Sequence, residues 1–169
     1  MLPIVFLLSA FNAHSMTHHT TQIEVLGRSP SQIYEFMFAL DREKYLAWHP
    51  EHLDFRIVKQ TNDTLGSVFF FDEKMDKLRV KYRWEVVEIE PNHKIRMKAL
   101  HAVPVYLTLT LQELPTGTLV THDLTIGFER KITGFTDWFL MKFIFTKSKR
   151  RSIERHAKEE FKNLEGLIK

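Results

Sequence analysis

Residues 21–47, TQIEVLGRSPSQIYEFMFALDREKYLA, hold one strand pattern followed by two short helix patterns. Ile23 and Val25 alternate with polar residues, which predicts a first strand at the start of this stretch. The Ser-Pro-Ser sequence at 29–31 is typical of a helix start, and Asp41 is placed to cap a second short helix. The fold therefore begins with one strand and two helices.

Beyond this stretch the apolar residues recur at every second position, which is the period of a strand. Six such segments follow, at residues 53–60, 67–73, 78–86, 95–99, 105–111 and 120–128. After them we expect a lid-like aromatic segment and then a long terminal helix from about residue 148. The order predicts an α+β design in which a curved antiparallel sheet of about seven strands wraps around the helix and leaves a cavity between them.

Composition narrows the possible chemistry. The chain has 169 residues, 44% of them hydrophobic, and this suits a single domain with a proper core. It contains no cysteine, so disulfides, thiolate metal sites and cysteine nucleophiles are excluded. Any metal must be held by imidazole and carboxylate, which suit zinc and also iron or manganese. The net charge of +3 is mild, and we expect no nucleic-acid partner.

The N-terminal residues 1–19 are predicted to lie outside the domain, which then spans residues 20–169. Their apolar run is too short to span a bilayer. Three alternatives are open: translation starts at Met16 and the upstream residues are a gene-calling artefact, residues 1–15 form a signal peptide and the protein is exported, or they form a genuine folded segment. The first alternative predicts a cytoplasmic protein. With residues 1–19 left outside the domain, His18 and His19 are expected to lie in a frayed tail and away from any site.

A basic run lies between Lys142 and Lys158, a segment that contains seven basic residues and only one acidic residue, Glu154. The run is typical of a solvated helix face. Phenylalanines lie beside it, so a second interpretation is contact with an anionic ligand, or weak contact with a membrane surface through residues 135–151.

Ionisable residues occupy positions where the patterns call for apolar ones. Glu73 and His122 fall on the inward faces of their strands, and Glu160 lies in the apolar stripe of the terminal helix. The segment Trp48-His49-Pro50-Glu51-His52 adds two imidazoles. Each residue alone is compatible with a hydrogen-bonded core position or a strand end. Together, two histidines and two carboxylates converging on one cavity indicate a metal site with a position open for water or substrate.

The element order resembles the Bet v 1-like helix-grip fold of the START or SRPBCC superfamily over residues 20–169. That superfamily includes lipid carriers, cyclases and hydrolases, so the fold alone leaves the function open. Four features resemble the 2,4-diacetylphloroglucinol hydrolase family, which includes phloretin hydrolase: HPEH at 49–52, Gly66 followed by Glu73, His122, and HAKEEFKNLE at 156–165.

The resemblance implies a zinc ion held by two histidines and two glutamates, and cleavage of a carbon–carbon bond between an acyl group and a phenolic ring. Carried over position by position, the implied ligands are His52, Glu73, His122 and Glu160. The chain is much shorter than those hydrolases, so the acyl-phenol substrate is a separate question from the metal.

Two ligand positions have rivals. His49 could take the place of His52, although His49 directly precedes Pro50 and suits a supporting role better. His101 could take the place of His122, since it shares the inward parity of its strand.

The remaining roles follow from position. His156 lies one helical turn before Glu160, so it could orient that carboxylate. Candidate proton donors are His49, His101 and Tyr82.

Three functions therefore stand after the sequence is read. The first is a metal-dependent hydrolase of a small aromatic or polyketide-like ketone. The second is a non-enzymatic carrier of a hydrophobic molecule, in which the polar residues satisfy one another. The third is a membrane-associated helix-grip protein resembling the quinone-binding ones.

Overall fold

The computed structural model describes residues 17–75, 78–127 and 146–168. The elements in chain order are β1 (Thr17–Leu26), α1 (Pro30–Phe38), α2 (Arg42–Trp48), β2 (His52–Lys59), β3 (Val68–Met75), β4 (Leu78–Glu90), β5 (Lys94–Ala99), β6 (Val105–Leu114), β7 (Gly117–Ile126) and α3 (Lys147–Leu167). One strand, two short helices, six strands and a long helix follow one another as the sequence predicts.

The seven strands form one antiparallel sheet in the order β1-β7-β6-β5-β4-β3-β2. Every neighbouring pair is antiparallel, and all pairs except β1 with β7 are consecutive in the chain. The sheet curves around α3, which packs against β1 and contacts α2 and β3. The predicted α+β helix-grip architecture is confirmed.

Both short helices begin where the sequence places their caps. The Ser29 hydroxyl accepts a hydrogen bond from the Gln32 backbone N–H, and the Gln32 side chain accepts one from the Ser29 N–H. The Asp41 carboxylate accepts from the Lys44 N–H at 2.8 Å and starts α2. These caps satisfy backbone donors that the first helical turn leaves without partners.

Gly117 makes the β6–β7 hairpin possible. Its φ is +155°, and a Cβ atom built there would lie 2.1 Å from the carbonyl oxygen of Val25. Only glycine lets β1 approach the hairpin this closely. The turn predicted at residues 115–117 therefore lies where the end of β1 packs against the start of β7.

The first strand is longer than predicted. β1 begins at Thr17 instead of Thr21, because residues 17–20 pair with residues 123–126 of β7. His18 and His19 therefore belong to the sheet, and the expectation of a frayed tail is wrong for them. The Nδ1 atom of His18 lies 3.2 Å from a carboxylate oxygen of Asp123. The predicted lid-like segment and most of residues 135–151 lie outside the described residues.

Among the described residues, no helix is both long enough and apolar enough to cross a membrane. The core lies between the concave face of the sheet and the helices, with Val25, Ile33, Tyr45, Val120 and Leu164 almost fully buried. α2 lies beside the start of β2 and near α3, so residues of all three elements can meet.

Candidate metal centre

A cavity of about 810 Å³ lies between the sheet and α3. Its described walls are largely apolar and aromatic, with Phe71 from the sheet and Phe161 from the helix among them. Glu73, His122 and Glu160 all line it. The prediction that these three ionisable side chains face inward is confirmed.

Four side chains from three parts of the chain meet beside this cavity, and all of them except His52 line it. They are His52 at the start of β2, Glu73 near the end of β3, and His156 and Glu160 one turn apart on α3. One possible ligand atom from each residue lies within 4.8 Å of the others. The Nε2 atom of His52 is 2.8 Å from Glu160 Oε1 and 3.6 Å from Glu73 Oε2.

The hydrogen bonds on the far side of each ring fix which nitrogen faces the cluster. His52 Nδ1–H donates to the backbone carbonyl of Tyr45 at 2.7 Å, and His156 Nδ1–H donates to the Glu51 carboxylate at 3.2 Å. Both Nε2 atoms are buried, and neither has a hydrogen-bond partner of acceptable geometry among the described residues. Both Nε2 atoms therefore face the two carboxylates, and a metal would bind them after displacing any proton that they carry.

The cluster needs positive charge. Burial lowers the pKa of His156, but the carboxylates of Glu73, Glu160 and Glu51 outweigh it and raise that pKa to about 9. Burial raises the pKa of Glu160, but His52 and His156 outweigh it and lower that pKa. Two nearly buried carboxylates are costly together unless a cation lies between them.

The residues present fit a divalent metal. Two imidazole nitrogens that no described residue hydrogen-bonds, together with two carboxylates, are the donor set that zinc commonly takes, and iron and manganese also accept it. Each imidazole already has the outer hydrogen bond that holds metal-binding histidines in place. His52, Glu73, His156 and Glu160 are called the quartet below.

Three of the four implied ligands, His52, Glu73 and Glu160, belong to this quartet. His122 lines the same cavity but is not in the quartet, and His156, which we expected to orient Glu160, stands in it instead. Burial lowers the pKa of His122, so its imidazole is neutral, and its Nδ1 atom has no hydrogen-bond partner among the described residues.

His49 lies behind the quartet, where it ends α2. Its nitrogens also come within 4.8 Å of those of His52 and His156, which makes an all-histidine trio. Both of its nitrogens already have partners, however. Nδ1 accepts from the Glu51 N–H at 3.2 Å, and Nε2 lies 3.3 Å from a Glu159 carboxylate oxygen. The quartet is therefore the better candidate site, and His52 is the better placed of the two predicted rivals.

The three predicted proton donors differ in whether they line the cavity. Tyr82 and His101 line the cavity, whereas His49 is not among its lining residues. Like His122, His101 lines the cavity but does not belong to the quartet.

Two supporting residues were missed by the sequence analysis. Tyr45 donates its hydroxyl hydrogen to Glu73 at 3.0 Å, and Glu51 holds His156. Burial and the neighbouring carboxylates raise the pKa of Tyr45, so this hydroxyl stays protonated. Glu51 lies within the pentapeptide that drew attention to His49 and His52, but nothing in the sequence pairs it with a helix 105 residues away.

Comparison with known proteins agrees with this architecture. The sequence model of a family described as "Polyketide cyclase / dehydrase and lipid transport" matches residues 16–159. No curated protein matches the chain. A START superfamily protein from Mycobacterium smegmatis superposes with a TM-score of 0.60 at 17% identity, over 90% of this chain and 96% of that one.

Two further solved structures are similar. The protein TTHA0849 from Thermus thermophilus has a TM-score of 0.61 at 15% identity, over 90% of this chain and 96% of its own. The di-domain ARO/CYC BexL from the BE-7585A biosynthetic pathway has a TM-score of 0.65 at 13% identity, over 94% of this chain and 52% of that one. At these identities the likeness establishes the fold alone.

Proposed function

Since this chain belongs to the polyketide cyclase/dehydrase and lipid transport family, we propose that it is a metal-dependent hydrolase of a small aromatic or polyketide-like ketone. The reaction is cleavage of a carbon–carbon bond beside the ketone. The observation that carries the proposal is the quartet itself, in which two buried imidazole nitrogens face two carboxylates at the wall of a largely apolar cavity, and neither nitrogen has a hydrogen-bond partner within the described part of the chain.

The quartet would hold the metal, and zinc is the first choice for this donor set, with iron or manganese as alternatives. A metal of this kind polarises a ketone oxygen and lowers the pKa of water towards roughly 7. The protein's part is to hold the two Nε2 atoms and the two carboxylates facing one another, and a metal would displace the proton that the raised pKa of His156, about 9, retains at neutral pH. The hydrogen bonds of the histidines to the Tyr45 carbonyl and to Glu51, and that of Tyr45 to Glu73, serve this purpose.

Cleavage also requires a proton for the carbon that leaves. Tyr82, His101 and His122 line the same cavity and can reach a bound molecule from the sheet side. His122 can relay this proton, because its buried imidazole is neutral and its Nδ1 atom has no hydrogen-bond partner among the described residues. It would take a proton from the water that attacks the ketone carbon and return it to the carbon that leaves. The aromatic walls would bind the flat part of the substrate between the quartet and these residues.

Elemental analysis of purified protein tests the metal. We expect about one zinc per chain in the wild type, and loss of most of it in Glu73→Ala and His156→Ala. His122→Ala is the matched control, because it removes a cavity-lining imidazole outside the quartet and should keep the metal. Folded protein that binds no divalent metal, before or after incubation with zinc, would overturn the proposal.

Activity is tested separately, with acyl-phenols of graded size incubated with zinc-loaded protein and the products followed by mass spectrometry. The cavity's apolar lining also favours a second candidate, a carrier that binds a hydrophobic molecule without changing it. Tight binding with complete recovery of unchanged ligand from the zinc-loaded protein would support the carrier.

A further inference from the structure

The wall of the cavity also contains a lysine. Lys149, in the first turn of α3, lines the cavity together with Ser148 and Ser152, and it is the only lysine or arginine among the described lining residues. The lysine is exposed to solvent, so this end of the cavity reaches the surface. Its aliphatic stem can lie along the apolar wall while its ammonium group faces the entrance.

The basic residues of α3 differ in whether they pair with a carboxylate. Lys158 pairs with Glu154 at 2.7 Å, and Arg155 lies 3.8 Å from Glu159. Lys149 has no carboxylate partner among the described residues. The two carboxylates that line the cavity, Glu73 and Glu160, are engaged by the quartet histidines and by Tyr45.

The helix also sets a distance. Lys149 precedes His156 by seven positions, two turns of helix, so both lie on the cavity face of α3. At about 1.5 Å per residue they are roughly 10 Å apart along the axis. A molecule bound between them meets the quartet at one end, aromatic walls in the middle and an ammonium group at the other.

We propose that Lys149 binds an anionic oxygen group of the ligand, so that the cavity selects aromatic or polyketide-like ketones with a negative charge about 10 Å from the carbonyl. The inference rests on the proposed function in taking this cavity as the ligand site, but it does not require the metal. On this proposal one residue of the basic run, Lys149, recognises the ligand, and the run as a whole does not serve as a membrane contact.

A matched pair of fluorescent probes tests the charge preference. The anion 8-anilinonaphthalene-1-sulfonate and the neutral N-phenyl-1-naphthylamine differ only by the sulfonate, which stands in for the anionic group. Their Kd values are measured on full-length protein treated with a chelator, so that sulfonate binding to a metal cannot contribute. The readout is the ratio of the Kd for the neutral probe to the Kd for the anionic one.

We expect Lys149→Gln to lower this ratio about fivefold, the size of a partly exposed ionic contact. Lys147→Gln is the matched control, since it removes the same charge from the same turn at a residue that does not line the cavity, and it should leave the ratio unchanged. An unchanged ratio in Lys149→Gln overturns the inference, as does an equal fall in both variants.

Vesicles with and without anionic lipid complete the comparison. If both variants lose vesicle binding equally while the probe ratio stays constant, the run serves a membrane surface and the inference is wrong. Zinc content of Lys149→Gln should equal that of the wild type. A failure of the metal proposal therefore shows in the elemental analysis, and a failure of this one shows in the probe ratio.

Discussion

Tyr45 contacts two quartet residues through three different parts of its structure. Its ring stacks on His52 with centroids 3.8 Å apart and planes 5° from parallel. Its backbone carbonyl accepts a hydrogen bond from His52 Nδ1, and its hydroxyl donates to Glu73. Because the tyrosine is only 1% exposed, its position is fixed by packing, and it can fix the spacing of a histidine and a carboxylate that come from different strands.

We therefore expect Tyr45→Phe to weaken zinc binding about 10- to 100-fold, the usual effect of losing a hydrogen bond that supports a ligand. The phenylalanine keeps the ring and the backbone carbonyl, so the stack on His52 and the fold remain. Zinc affinity is measured by competition with a chromophoric chelator, and the visible spectrum of the cobalt-substituted protein reports the ligand geometry.

Tyr34→Phe serves as the control for this prediction. Tyr34 packs against Phe38 within α1, with the two rings tilted by 46°, and has no contact with the quartet among the described interactions. Equal zinc affinity and an identical cobalt spectrum in Tyr45→Phe and wild type would show that Tyr45 only fills space.

At the residue scale, sequence patterns could identify candidates but not their partners. Glu73, His122 and Glu160 stand out because a charged or polar residue replaces an apolar one at a fixed period, and all three do face the cavity. The spacing of apolar residues predicts which side chains face the cavity but not how far along it they lie. It therefore could not show that His156, and not His122, belongs to the quartet. Tyr45 gave no signal, since a helix of seven residues is too short to display a reliable stripe.

At the scale of elements, α2 is the support of the candidate site. Its last residue, Trp48, donates its indole N–H to the backbone carbonyl of Glu160 at 2.7 Å, and the Asn163 side chain donates to the carbonyl of Trp48. These two bonds join α2 to the middle of α3. The quartet's helix residues are therefore held at a set distance from His52, which follows α2 directly.

The strand pattern was the most readable part of the sequence, and its limits have physical causes. Alternation identifies a strand wherever one face is buried, as in β5 and β7. It fails at residues 17–20 of β1, where all four side chains are polar and no apolar residue marks an inward face, although Thr20 contacts Asp123 of β7. At the C-terminal end of α3, Leu167 is 36% exposed, and Ile168, the next residue, is buried.

The other end of α3 is attached to β1 through Glu165. Its carboxylate accepts hydrogen bonds from the Leu26 backbone N–H at 2.9 Å and from Lys162 at 2.8 Å, and its carbonyl accepts one from Arg28. The hydrogen bonds from Lys162 and from the Leu26 N–H hold the pKa of the Glu165 carboxyl below its usual range. The ionised form therefore stabilises the junction.

Glu165→Gln should lower the free energy of unfolding at pH 7 by about 1 kcal/mol, since one charged hydrogen bond becomes neutral. Because the folded pKa lies below the unfolded value of about 4.3, this contribution is complete above that pH and is lost as the pH falls through the folded pKa. The difference between wild type and variant should shrink accordingly in urea unfolding measured from pH 7 down to about 3.5.

The comparison for this junction is Glu113→Gln, which changes an exposed residue of β6 and should leave stability unaltered at every pH. A difference between wild type and Glu165→Gln that stays constant with pH would mean that the charge of Glu165 has no part in it.

At the scale of the whole molecule, the quartet places charge inside a fold that otherwise depends on apolar burial. Glu73 is 7% exposed and Glu160 is largely buried at the cavity wall, and their side chains meet across the gap between the sheet and α3. Two carboxylates in this setting repel each other and lose hydration, which opposes the packing of α3 against the sheet. A divalent cation would remove both penalties and join β2 and β3 to α3, which is distant from them in the chain.

Zinc should therefore stabilise the entire domain. At free zinc about 1,000 times the Kd, binding to the folded state alone adds about 4 kcal/mol, which for a chain of this length raises the Tm by roughly 10 °C. Thermal unfolding is followed by circular dichroism on chelator-treated protein with and without added zinc. His156→Ala should melt at one temperature in both conditions, because it keeps the fold but lacks one of the two nitrogen donors. If added zinc left the wild-type Tm unchanged, the metal would not be needed to hold the sheet and α3 together. The positive charge between Glu73 and Glu160 would then come from protonated His156 alone.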